Sequence, residues 1–416
     1  MKGYLIATTV VLTLVVPVTA WGQLFSESFE VDPTANWVMN GGPVDQPGTG
    51  NTDGDNRAFF HFDYSTIGIP KAPNSDPADG TFGMKLQTNI DANNDGISTT
   101  ALVTGMSVSP VGESFTGDYR VTFDAWGNFP GPFPAGSSGT TNLSTFGVGT
   151  SGTVANYPGS ADGVWFAATH DGGSGADYRA YSQERVVSYQ FPVDPAVLDN
   201  MGNPIDGHAT YHAASRNNTA QLYLDTFDPQ EAPPDQLTAF PQQTGMTADG
   251  TFGMAWHEVE ISWIGNTIDW KVNGVSLITI DTTDFVSPPA GTNILFGNSD
   301  INAGASADPE RFNLLFSLFD NIKVEAIAAG LNGDFNEDGK VDAADYVTWR
   351  QNDTANNPLP NDNGLTTQAD RYDLWVANFG GMLGSGSGLA AVPEPGAFAI
   401  ALAGMLLLGA SHRRRV

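Results

Sequence analysis

Apolar and polar positions alternate over short stretches through residues 24–328, and Gly, Asn, Asp and Pro separate the stretches. A period of two held over four to eight residues marks a half-buried β-strand. The clearest case is Trp256–Gly274. A two-residue turn at Gly265-Asn266 sets Trp263 opposite Ile268, Ile261 opposite Trp270 and Val259 opposite Val272, all on one side. Glu260 and Lys271 then meet on the other side, as a half-buried antiparallel pair requires. Asn273-Gly274 is a second tight-turn signal, feeding a strand over Val275–Ile280. Further strands are expected over Phe25–Val31, Thr81–Leu86, Tyr119–Trp126, Val164–His170 and Phe312–Glu325. With this many antiparallel segments and no convincing helix, the fold class is mainly β, with two sheets packed as a sandwich. Residues 192–250, rich in Pro, Asn, Gln and Ala, interrupt the pattern. A long insertion there suits a binding loop or an ordered structural excursion.

Composition narrows the function. The 416 residues include 48 Gly and 26 Pro, which suits turns and short strands rather than long helices. The formal net charge is −29, and four of the 17 basic residues (Lys2, Arg413, Arg414, Arg415) lie in the terminal segments. So acidic a body repels phosphate backbones, and no nucleic-acid partner is expected. It is compatible with calcium, whose ligands are carboxylate and carbonyl oxygens. The absence of cysteine removes disulfides, zinc–thiolate sites and thiol nucleophiles together.

Both ends read as targeting segments. Residues 1–20 begin with Lys2, continue through an apolar run from Tyr4 to Val16 and offer Val18 and Ala20 at a cleavage site, the order of a signal peptide. An N-terminal anchor is the alternative, with a run short for a membrane span. At the other end a Gly/Ser-rich linker over 384–391 leads to Val392-Pro393-Glu394-Pro395-Gly396, an apolar stretch Ala397–Ala410, then His412 and three arginines. Such a stretch would lodge in a bilayer with its arginines held on the cytoplasmic side, as a marginal tail anchor. Residues 392–416 resemble the PEP-CTERM sorting signal of Gram-negative bacteria. That resemblance implies transient insertion in the inner membrane, an exosortase-type protease as partner, and delivery to the cell surface or extracellular matrix.

Residues 331–381 carry the most specific chemistry. Asp334, Asn336, Asp338, Asp342 and Asp345 fall at positions 1, 3, 5, 9 and 12 of a calcium loop. Gly339 takes position 6, where the chain turns sharply, and Lys340 offers its backbone carbonyl at position 7. Val341 is the apolar residue that packs the loop onto its neighbour. A second, degraded copy keeps Asn361, Asn363, Gly364 and Asp370 at positions 3, 5, 6 and 12, but Leu359 stands at position 1 and Thr367 at position 9. The expected cofactor is Ca2+, held well by the first loop and weakly or not at all by the second. Trp349, Tyr372, Trp375 and Phe379 are expected as core between the helices that follow the loops. Asp rather than Glu at position 12, with one helix after each loop, resembles the type I dockerin module. The resemblance implies a cohesin-type partner, although Ala343-Ala344 at positions 10 and 11 replaces the hydroxyl pair that often sets partner choice. A dockerin-like module beside a PEP-CTERM tail is similar to the arrangement in planctomycete-type surface proteins.

The Trp256 hairpin and the closing run Ser317–Glu325 resemble concanavalin A-like and laminin-G-like jelly rolls. In those folds the terminal strands pair. Phe25, Phe29 and Val31 alternate on the first segment, and Leu314, Phe316, Leu318, Ile322 and Val324 on the last, so these two are expected side by side, hiding two edges. The resemblance implies a polysaccharide ligand and admits two functions. One is a non-catalytic carbohydrate-recognition or structural module. The alternative is a dockerin-bearing glycoside hydrolase in polysaccharide catabolism, which needs two carboxylates astride the scissile bond. Laminarinase-like jelly rolls place theirs as Glu-x-Asp-x-Glu. The nearest run here is Glu258-Val-Glu260-Ile-Ser262, which lacks the third acid, so no catalytic residue is assigned. His170-Asp171 and Glu184-Arg185 could also mark a site, but a strand end and a surface ion pair explain them equally well. Asp91–Gly96 resembles half a calcium loop, but Thr99 and Leu102 fall where ligands are needed.

Overall fold

In a computed structural model the described residues are 22–41, 56–90, 104–135, 141–157, 162–182, 211–213, 215–285, 289, 291–301, 306, 308–327, 331–336, 338–352, 359–362, 365 and 367–381. Residues 1–20, read above as a signal peptide, residues 384–391 and 392–416, read as a linker and a sorting signal, the Asp91–Gly96 run, Glu184-Arg185, Asn363 and Gly364 lie outside them. The chain divides into two compact units, with the boundary after Ala328.

The first unit is mainly β. Its strands are β1 (Gln23–Glu27), β2 (Trp37–Gly41), β3 (Arg57–Asp63), β4 (Phe82–Gln87), β5 (Thr104–Pro110), β6 (Tyr119–Asn128), β7 (Asn142–Thr150), β8 (Val164–Thr169), β9 (Tyr178–Ser182), β10 (Tyr211–Ala213), β11 (His257–Ile264), β12 (Thr267–Val272), β13 (Val275–Asp281), β14 (Asn293–Asp300) and β15 (Phe316–Ala326). They form two antiparallel sheets packed as a jelly-roll sandwich. One has nine strands in the order β10-β13-β12-β11-β6-β15-β4-β3, with β1 also on β15; the other has six, in the order β2-β5-β14-β7-β8-β9.

The register of the Trp256 hairpin is the one its alternation requires: Val259 pairs with Val272, Ile261 with Trp270 and Trp263 with Ile268, and Glu260 opposes Lys271. Gly265 sits at φ +56° and Asn273-Gly274 at +50° and +79°, the left-handed backbone that such tight turns need. The terminal strands do lie side by side, with Phe25 on Val324 and Glu27 on Ile322.

Two strand limits differ from expectation. The first strand stops at Glu27, because the Glu27 carboxylate accepts the Phe29 N–H at 2.8 Å and Phe29 turns to φ +59°. Phe29 is buried all the same, while Val31 is exposed. The last strand begins only at Phe316, after a helical turn, α3 (Arg311–Leu314), that buries Arg311 and Leu314. Short helices α1 (Gln221–Leu224) and α2 (Pro234–Ala239) also occur in the region read as free of helix.

The main core lies between the sheets and includes Phe123, Phe146, Trp270, Phe296 and Phe319. A second cluster with Tyr64, Ile69, Trp126, Met254, Phe316 and Leu318 gathers residues of alternate positions on β6 and β15 with residues of the connecting segments. The part of the 192–250 insertion within the described residues contributes Tyr223 and Phe227 to the main core, with Tyr223 stacked on Tyr178 at 3.9 Å.

The second unit contains α4 (Ala343–Gln351) and α5 (Gln368–Asn378). Asp342 and Asp345 form a capping box at the start of α4. Each helix is pinned to the start of the other by a tryptophan. Trp349 Nε1 donates to the Gln368 carbonyl at 3.0 Å, and Trp375 Nε1 to the Asp342 carbonyl at 2.8 Å. Among the described residues no helix is long and apolar enough to cross a membrane.

Candidate functional site

Two places gather chemistry, one in each unit. In the helical unit Gly339 adopts φ +82°, so the chain reverses where position 6 demands it. Asp334 and Asp345, the first and last residues of the frame, are both buried. The loop's own amides hold them. Asp334 accepts the Gly339 N–H at 2.9 Å and the Asp338 N–H at 3.2 Å. Asp345 accepts the Asn336 N–H at 3.1 Å and the Asp342 N–H at 2.7 Å. Burial, and the nearby carboxylates of Asp345 and Asp338, push the Asp334 carboxyl up. No lysine or arginine of the described residues pairs with either acid.

The remaining first-loop residues stand further out. Asn336 Nδ2 donates to Asp338 Oδ2 at 3.1 Å, Asp342 caps Ala344, and Lys340 is exposed. As they stand, no three Asp, Glu or His side chains among the described residues are arranged to hold a metal. The donor set nevertheless fits calcium. Two buried carboxyls flank a left-handed turn, and Asp338 and Asp342 add oxygen donors from the same loop.

The second loop is built differently. Leu359 is buried, and Asn361 donates through Nδ2 to the Asp334 carbonyl at 2.7 Å, so it serves the first loop. Asp370 is exposed and bonded to Thr367. Val341 is buried as expected, but its backbone pairs with Gly380 and Gly381 beyond α5 rather than with the second loop. The aromatic residues form a chain of ring contacts, Tyr346–Trp349–Tyr372–Trp375–Phe379, half open to solvent.

The sandwich carries a polar groove of about 320 Å³ on the nine-stranded sheet, lined in part by Asn74, Arg120, Thr122, Glu258, Glu260 and Lys323. Cross-strand register puts three acids in one row at its head, Glu258 and Asp320 on either side of Asp124. Asn74 Nδ2 donates to Asp124 Oδ1 at 2.8 Å and to Glu258 Oε2 at 3.0 Å, so these carboxylate oxygens lie within about 6 Å. Asp124 also accepts Asn74 N–H and Asn321 Nδ2–H, at 3.1 and 2.8 Å, and burial pushes its carboxyl up. Asp320 accepts the Tyr64 hydroxyl at 3.0 Å, and burial raises its carboxyl to about 8. Glu260 is paired with Lys271 at 3.0 Å, and Glu325 with Arg120 at 2.8 Å.

Elsewhere the outlook for catalysis is poorer. His170 is fully buried, bonded through Nε2 to Ser144 at 3.0 Å, and burial drives it down to about 3. On β7, β8 and β14 of the six-stranded sheet the positions facing away from the core include Thr145, Gly147, Trp165, Ala167, Gly297 and Ser299, with no carboxylate. An apolar hollow of about 500 Å³ beside Met39, Phe59 and Phe60 has Asn56 and Arg57 as its polar lining among the described residues.

No family model and no curated protein matches the chain. Solved structures of low similarity do. A galectin-like protein of unknown function from Bacillus subtilis is 9% identical, with 73% of this chain and 96% of that one covered and a TM-score of 0.34. The carbohydrate recognition domain of Emp46p is 10% identical over 74% and 99%, with a TM-score of 0.34. A laminarinase from Flavobacterium sp. UMI-01 is 12% identical over 73% and 99%, with a TM-score of 0.30.

Proposed function

We propose an exported cell-surface or matrix protein that joins a non-catalytic carbohydrate-recognition sandwich to a calcium-binding, dockerin-like module. The observation that carries the reading is the first loop, where Asp334 and Asp345 are buried around a left-handed Gly339 with no cationic side chain of the described residues paired with them. A calcium ion would be held by Asp334, Asn336, Asp338, Asp342, Asp345 and the Lys340 carbonyl. It would neutralise the buried pair and fix the start of α4. Export and sorting rest on the order of residues in 1–20 and 392–416: a signal peptide at one end, a tail removed by an exosortase-type protease at the other. A cohesin-type domain is the partner the module's resemblance implies.

For the sandwich, the groove supports a saccharide ligand. Lys323 supplies a donor and Glu258 and Glu260 acceptors, beside Asn74 and Arg120, which are already bonded to Asp124, Glu258 and Glu325, a mixture that vicinal hydroxyls can use. A glycan array probed with the whole chain tests this. Binding that weakens at least about tenfold in Lys323→Ala and Glu258→Gln is expected; unchanged binding in both would move the site elsewhere.

The second reading, a glycoside hydrolase, is favoured by the Asp124–Glu258 spacing, which suits a carboxylate pair. Against it, Asp124 is fully buried and held by three hydrogen bonds, so it cannot touch a substrate. Release of reducing ends from a polysaccharide, lost in Glu258→Gln, would restore this reading.

A further inference from the structure

The second loop of the helical unit contains its own cation. Arg371 Nε donates to Asp362 Oδ2 at 2.8 Å, and the two side chains are only 3% and 5% exposed. The same oxygen accepts the Leu359 N–H at 3.0 Å. In the calcium frame Leu359 is the first ligand position and Asp370 the last. The first is apolar and buried. The last faces solvent, where Thr367 Oγ1 donates to Asp370 Oδ2 at 2.6 Å and accepts the Asp370 N–H at 3.1 Å. Neither is placed to bind an ion, and the buried charges that remain, Asp362 and Arg371, cancel each other. A buried carboxylate needs a counter-charge or a proton, and here a side chain supplies the counter-charge.

We propose that Arg371 is the resident cation of the second loop, standing in for a metal ion, so that this half of the unit keeps its structure without calcium. The inference rests on reading the first loop as a calcium site, against which the second half is contrasted. It also gives the second half a task. The Gly333 N–H donates to the Asn361 carbonyl at 3.1 Å and Asn361 Nδ2 to the Asp334 carbonyl at 2.7 Å. A metal-independent second loop would thus offer the first loop a fixed backbone on which to close when calcium arrives.

Amide hydrogen exchange on the whole chain, in calcium and in chelator, tests this alongside calorimetric calcium titration. The expected result is one calcium per chain, with protection in 334–350 falling about tenfold or more in chelator while 367–378 changes little. Arg371→Gln should make 367–378 lose protection in both conditions. The reversed pair Asp362→Arg with Arg371→Asp should restore it, which separates a lost ion pair from a general failure to fold. Loss of protection in 367–378 together with 334–350 in wild type, or two calcium ions per chain, would overturn the assignment. No bound calcium with 367–378 still protected would sink the reading of the first loop and support Arg371 as the resident cation.

Discussion

Buried carboxylates occur in both units, and the sandwich and the first loop of the helical unit satisfy them in opposite ways. In the sandwich, Asp124 receives three hydrogen bonds from Asn74 and Asn321, and Asp320 is held in a site that favours its proton. In the helical unit, Asp334 and Asp345 receive, from the described residues, the backbone amides of their own loop. The first arrangement is complete: donors contributed from the segment after Tyr64 tie that segment to the sheet. The second leaves net negative charge inside, which amide dipoles soften but do not cancel. An acid surrounded by donors from distant parts of the chain is a clasp. One that faces another acid across a turn is the kind of place proposed here to take a cation.

The largest expected effect is on the helical unit. Asp334→Ala removes one of the two buried acids and should weaken calcium binding about a hundredfold or more by calorimetry, while the melting of the sandwich stays put. Retained affinity would mean that the loop is a clasp too. Next, Asp124→Ala strands the donors of Asn74 and Asn321 and should destabilise the sandwich by about 3 kcal/mol in denaturant, with calcium binding unaltered. A loss under about 1 kcal/mol would remove Asp124 from the structural role given to it here.

Asp320 supplies a pH test. Its carboxyl stands at about 8 in the folded protein, against about 4 in an unfolded chain. As pH rises through about 4 the unfolded chain releases a proton that the folded protein keeps, so stability falls up to about pH 8 and is level above it. Asp320→Asn should flatten that decline, by about 3–4 kcal/mol between pH 5 and pH 8; an unchanged slope would assign the decline to other groups. The smallest effect is at Glu260. Its pairing with Lys271 is half open to water, so Glu260→Gln should cost under about 1 kcal/mol, read from the same denaturation curves.

The hairpin and the terminal strand pair were legible because one face of each is apolar and alternation shows it. Strands such as β7 were not. Every residue of Asn142–Thr150 is buried, and Ser144, Thr145 and Gly147 sit where an alternating pattern would need a contrast. Strands buried on both faces carry no periodic signal, and small polar residues there look like turns. The first calcium frame was legible in full as a spacing, since its residues are contiguous. The Asp124–Asp320–Glu258 row joins three strands far apart in sequence, and only the register brings it together. The Arg371–Asp362 pair was less legible, because a ligand template reads Asn361 and Asn363 at positions 3 and 5 and passes over Asp362; the only hints in the sequence are an apolar Leu359 at position 1 and an arginine directly after Asp370.

The most direct test of the contrast is differential scanning calorimetry of the whole chain, with and without calcium. Two transitions are expected. Calcium at about a hundred times its dissociation constant should stabilise the smaller one by about 2.7 kcal/mol, and the larger one, from the sandwich with its internally satisfied acids, should not move. A calcium-driven shift of the sandwich transition, or no shift in either, would contradict the account.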